Sequence, residues 1–111
     1  MPKPRDPLLL IIKWLLEGTR GGPMRGRILL ALRERPMNIN QLAKTLNINY
    51  KTVMHHIEIL EEHGLVRKLT KGYGAPYTLT ATAENYWGYI EESLKSLGIG
   101  GEARDESVDR A

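Results

Sequence analysis

The stretch Asn40-Gln-Leu-Ala-Lys-Thr-Leu-Asn-Ile-Asn-Tyr-Lys-Thr-Val-Met-His-His-Ile-Glu-Ile-Leu-Glu-Glu-His-Gly64 decides the fold. Within it, apolar residues recur twice at helical spacing. Leu42, Ala43 and Leu46 form one short stripe, and Val53, Ile57 and Leu60 form a second at i, i+4, i+7. Asn40 reads as the N-cap of a helix over Gln41–Leu46, and Asn49 as the N-cap of a helix over Tyr50–His63. Between them, Asn47-Ile48-Asn49 makes a turn. Gly64 stands where a helix stops on a left-handed residue. Packing the two stripes together through Leu42, Leu46, Val53 and Ile57 leaves the opposite face of the second helix free.

Upstream, a helix is predicted over Met24–Arg35, with Ile28, Leu29 and Leu32 on its core face and Pro36 ending it. Arg25, Arg27, Arg33 and Arg35 spread around the rest of that helix as a mostly solvated set. Arg25 and Arg27, near its start, are the candidates among them for a phosphate. Met37–Ile39 reads as short and extended. Gly18-Thr-Arg-Gly-Gly-Pro23 breaks the chain before it, and Pro7 opens an earlier helix through Leu8–Glu17 whose apolar residues cover nearly the whole circumference. Downstream of Gly64 the period shortens. Leu65–Leu69 and Ala75–Leu79 are β-prone runs around the Gly-containing tip Thr70–Gly74, which predicts a hairpin. Thr80 or Thr82 then caps a helix over 81–97, with Ala83, Trp87, Ile90, Leu94 and Leu97 stepping by 4, 3, 4, 3. Residues 98–111 lack an apolar period and are expected to form a disordered acidic tail beyond a domain spanning 1–97.

A mainly α chain with one small β-hairpin in this order is a winged helix-turn-helix, with flanking N-terminal (7–17) and C-terminal (81–97) helices available for dimerisation.

The length of 111 residues suits one domain, and the absence of cysteine excludes a disulfide scaffold, a thiolate metal site and a cysteine nucleophile. The apolar run Leu8–Leu16 is about half the length that spans a bilayer. Its Pro-rich leader, and the lack of a small-residue cleavage site after it, argue against a secretory signal. A soluble, cytoplasmic protein is expected. The net charge of +3 divides unevenly: residues 1–80 carry 13 Lys and Arg against 6 acids, and residues 81–111 carry 3 against 7. A basic body with an acidic end suits a polyanion binder.

The expected DNA-facing set on the free face of the second helix is Asn49, Tyr50, Lys51, Thr52, His55 and His56. Lys can bond guanine edges, Asn can pair with adenine, and Thr offers a hydroxyl and a methyl. The hairpin adds Arg67, Lys68, Lys71 and Tyr73 beside the groove, where cations neutralise phosphate without reading sequence. Adjacent histidines point about 100° apart on a helix, so His55 and His56 do not form a metal pair, and no cofactor or metal is expected. His63 suits a helix C-terminus. Without a nucleophile–base–orienter set, P-loop or dinucleotide fingerprint, an enzyme is not expected. Leu9, Ile12, Trp14 and Leu16, with Trp87, Ile90, Leu94 and Leu97, are the expected homodimer interface. The alternative is that the first helix folds back over the C-terminal seam of its own domain.

The segment Thr52-Val-Met-His-His-Ile-Glu-Ile-Leu-Glu-Glu-His-Gly-Leu-Val66 resembles the recognition-helix segment of ArsR-like winged-helix regulators. Gly18-Thr-Arg-Gly-Gly22, Asn40-Gln-Leu-Ala43, Tyr50-Lys-Thr-Val-Met-His-His56 and Tyr73-Gly-Ala-Pro-Tyr-Thr-Leu-Thr80 look like a group of small archaeal winged-helix transcription regulators. The resemblance covers about residues 18–90. It implies a homodimeric repressor or activator that binds double-stranded DNA. The paired cysteines of the metal-sensing relatives have no counterpart in this chain. A winged helix can also serve as a protein–protein module of the transcription machinery. The basic hairpin tip favours DNA, and the scarcity of stacking aromatics beyond Tyr50 and Tyr73 disfavours RNA.

Overall fold

Helix α1 (Pro7–Glu17) begins on Asp6, whose carboxylate accepts from the Leu8 N–H at 2.9 Å. The computed structural model describes residues 6–100, so most of the expected acidic tail lies outside the described residues. The elements that follow are α2 (Gly22–Glu34), α3 (Ile39–Leu46), α4 (Tyr50–Glu62), β1 (Val66–Lys68), β2 (Tyr77–Leu79), α5 (Ala81–Asn85) and α6 (Trp87–Ser96). The order is that of a winged helix-turn-helix, as the periodicity predicts.

Helix α3 starts one residue before Asn40, because Asn38 is its cap. The Asn38 side chain accepts from the Gln41 N–H at 2.8 Å, and the Gln41 side chain accepts from the Asn38 N–H at 2.8 Å. That reciprocal box satisfies two otherwise orphan donors, which a cap at Asn40 could not do. Asn47 adopts the left-handed conformation (φ 58°) between α3 and α4, and Gly64 (φ 77°) does so after α4. His63 caps the C-terminal end of α4, its ring Nδ1 lying 2.8 Å from the Ile59 carbonyl. The wing is an antiparallel pair in the register Val66↔Leu79, Arg67↔Thr78, Lys68↔Tyr77, and Met37 bridges to Tyr77 on its inner side.

The single C-terminal helix predicted from the heptad steps is two helices. The chain turns at Tyr86 (φ −98°, ψ 10°), whose hydroxyl donates to Asp6 at 2.5 Å. About two turns further along α6, Ser93 donates to Glu17 at 2.5 Å, so both ends of α1 are tied to α6 or its N-cap. Tertiary packing on α1, rather than local propensity, sets the break. Beyond the expected end at Leu97, Ile99 still packs against the core.

This arrangement corrects the expected dimer surface. Leu9, Ile12 and Leu16 of α1, and Trp87, Ile90 and Leu94 of α6, are all buried within one chain. Helix α1 covers the seam of its own domain, which buries the α6 seam and the inner face of α1. Each fully buried aliphatic side chain in this layer contributes about 1.5–3 kcal/mol. Arg33 stacks over the Trp87 ring at 4.4 Å and closes its outer edge. Of the expected interface residues, Trp14 (56% exposed) remains open and Leu97 is half-buried.

Candidate nucleic-acid interface

Helices α3 and α4 pack through the shared core of Leu42, Leu46, Val53 and Ile57. At about 100° per residue this places Lys51, His55, Glu58 and Glu62 within roughly 60° of one another on the opposite meridian of α4. All four are exposed. Lys51 and His55 were expected there; Glu58 and Glu62 were not singled out, although their spacing of seven from Lys51 and His55 carries the signal.

Asn49 caps α4 by accepting from the Thr52 N–H at 2.8 Å. A bidentate contact with adenine needs that same Oδ1, and giving up the cap costs about 1 kcal/mol. Asn49 therefore positions the helix, and Thr52 is half-buried behind it. Tyr50 meets the wing. It lines one groove with Tyr73, and its pKa is raised by partial burial and then by the neighbouring Tyr73 hydroxyl. Tyr73 is 93% exposed at the wing tip, flanked by exposed Lys71, with Arg67 and Lys68 exposed on β1. Tyr50, Met54 and Glu58 of α4 face Lys68, Tyr73 and Tyr77 of the wing across a groove of about 380 Å³. The recognition-helix start and the basic wing thus border one surface.

His56 does not share it. Its side chain is 8% exposed, and its Nδ1 lies 3.2 Å from Nη1 of Arg25. The same guanidinium donates to the Leu15 carbonyl from Nε (3.1 Å) and Nη2 (3.0 Å), and Nη2 also donates to the Thr19 hydroxyl. Arg25 is 5% exposed, so it is no phosphate ligand; it joins the C-terminal end of α1, the start of α2 and the middle of α4. Because arginine only donates, the Nδ1 of His56 accepts and its imidazole is neutral. Burial, then the Arg25 charge, then His55 push the His56 pKa down to about 4. Arg27 stays exposed and donates to the Leu46 carbonyl at 3.3 Å.

No group of three or more His, Cys, Asp or Glu able to hold a metal occurs among the described residues. Among them, too, no helix is long and apolar enough to cross a membrane.

Residues 22–68 match the model of the bacterial regulatory protein, arsR family. The matched segment runs from the first residue of α2 to the last of β1. That segment is similar to the helix-turn-helix of this family. Among solved structures, the transcriptional regulator BldR from Sulfolobus solfataricus aligns with a TM-score of 0.64 at 18% identity, over 92% of this chain and 81% of that one. Reduced HlyU from Vibrio cholerae aligns with a TM-score of 0.59 at 20% identity, over 78% and 86%. RV1404 from Mycobacterium tuberculosis aligns with a TM-score of 0.60 at 16% identity, over 94% and 69%. These likenesses extend the winged-helix fold to the helices flanking residues 22–68. A search of curated protein sequences gives no match.

Proposed function

We propose that the protein is a cytoplasmic, non-enzymatic transcription regulator that binds specific double-stranded DNA sequences as a homodimer. The supporting observation is the groove that Tyr50 of α4 and Lys68 and Tyr73 of the wing line together, which sets the start of α4 beside a basic wing along one exposed surface. Helix α4 lies in the major groove, with Lys51 and His55 toward base edges. Arg67, Lys68 and Lys71 lie on the phosphates, and Tyr73 steadies the wing. The similarity of residues 22–68 to the arsR family supports the same reading, and the resemblance of the motifs to small archaeal winged-helix regulators agrees with it.

Lys51→Ala and Arg67→Ala separate the two kinds of contact. Loss of the Lys51 base contact is expected to cost about 1–3 kcal/mol and relax specificity at one position. Loss of Arg67 weakens all sequences alike and lowers the salt slope by about one. Titrating both variants against a site selected from random duplexes checks this. If neither changes affinity at low salt, the interaction-module reading takes its place.

The homodimer rests on what α1 still exposes. Leu10 (57%), Ile11 (38%) and Trp14 (56%) form an apolar strip on the outer side of a helix whose inner side is already buried. Pairing that strip across a two-fold axis removes it from water and sets two α4 helices on successive half-sites. Trp14→Glu is expected to yield a monomer in sedimentation velocity at micromolar concentration, with binding to a palindromic site lost. A wild-type monomer of 12.6 kDa under those conditions overturns the dimer.

A further inference from the structure

Glu58 sits on the exposed meridian of α4, on its wing-facing side, seven residues beyond Lys51 and three beyond His55. It is exposed and has no hydrogen-bond or ion-pair partner among the described residues. A carboxylate so placed on a surface otherwise prepared for DNA is repelled by phosphate, unless a base edge offers it a donor. Two bases carry an amino group in the major groove. Adenine sets its N6 amino group beside the N7 acceptor, which repels a second acceptor, whereas cytosine presents N4–H₂ without one.

We infer that Glu58 is a specificity residue that accepts a hydrogen bond from the N4 amino group of a cytosine in the major groove. The inference rests on the DNA-binding reading above and adds a base preference to it. Lys51 and Glu58 lie two turns apart on α4, about 10 Å along the axis. That rise matches roughly three base-pair steps of about 3.4 Å. A lysine that favours guanine and a glutamate that favours cytosine therefore specify two G·C pairs at a fixed short separation in each half-site. Glu62, one turn further on the same meridian, falls toward the edge of the groove and acts only to repel backbone there.

The two possible roles of Glu58 differ in the sign of one substitution. Glu58→Gln keeps the size and removes the negative charge. If the carboxylate only repels phosphate, the variant binds every duplex more tightly. If it reads cytosine, the variant binds the selected site more weakly, because the amide offers its donor end as readily as its acceptor. The experiment is binding-site selection on random duplexes with the wild-type chain and Glu58→Gln, followed by anisotropy titrations of both on the selected site.

The expected result is a C·G pair enriched by the wild type at one position of each half-site and lost from the variant's selection. On the selected site the variant's affinity falls on the order of 5- to 150-fold. Enrichment unchanged in Glu58→Gln, or tighter binding of that variant to all sequences, overturns the cytosine contact while leaving DNA binding intact. A wild-type chain that enriches no sequence overturns both readings at once. Matching far-UV spectra and melting midpoints of the two proteins exclude misfolding.

Discussion

Gly22→Ala is expected to lose at least about 3 kcal/mol of stability, a large part of the about 5–15 kcal/mol that holds a domain of this size. A Cβ at Gly22 would lie 1.9 Å from the Leu16 carbonyl oxygen and 2.6 Å from its carbon. Both are backbone atoms of the last turn of α1, so no rotamer change relieves the clash. The first turn of α2 and the last turn of α1 must separate, and the Arg25 fork that spans them goes with it. Gly88→Ala in α6 is the control. Nothing lies within 4 Å of a Cβ there, and the helical position favours alanine by about 0.5–1 kcal/mol. Urea unfolding of both variants checks the pair. Equal midpoints would show that the α1–α2 approach is looser than the structure has it.

Stability should also fall as the solution is acidified, through His56. The imidazole is neutral in the fold with its pKa pushed down to about 4, against 6.5 in the unfolded chain. A proton therefore binds the unfolded chain first. The stabilisation is complete above pH about 6.5 and is lost as the pH falls toward about 4, at 1.36 kcal/mol per unit, roughly 3 kcal/mol in all. His56→Gln keeps an acceptor for Arg25 and cannot titrate. The difference between the wild-type and variant unfolding free energies should be flat above the upper value and slope below it. Parallel profiles down to pH about 4 would mean that the imidazole is charged or solvated in the fold.

The residues that define the helix-turn-helix were legible because their signals are local. The stripes of Leu42 and Leu46 and of Val53, Ile57 and Leu60, the Asn49 cap and Gly64 each act within one or two turns of chain. The Asn38 cap was displaced by one candidate because Asn38 and Asn40 are the same residue type, and only the Gln41 side chain tells them apart. The break at Tyr86 and the cover of α1 over α6 were not legible in the same way. They depend on contacts such as Asp6–Tyr86 and Glu17–Ser93, which no window of neighbouring residues contains. His56 shows the same limit at the candidate site. Its place beside exposed His55 and Lys51 suggests an exposed residue, yet it lies a further 100° around the helix, where Arg25 closes over it.

The clasp of α1 by α6 has a temporal side. Helix α1 leaves the ribosome before the helix that covers it, Trp87–Ser96. At about 5–20 residues per second, the intervening stretch of some 70 residues takes roughly 4–14 seconds to appear. Throughout that interval Leu9, Ile12, Leu15 and Leu16 have α2 but not α6 to lie against. The nascent chain therefore carries a sticky apolar helix face through that interval, and the domain closes only once α6 has emerged.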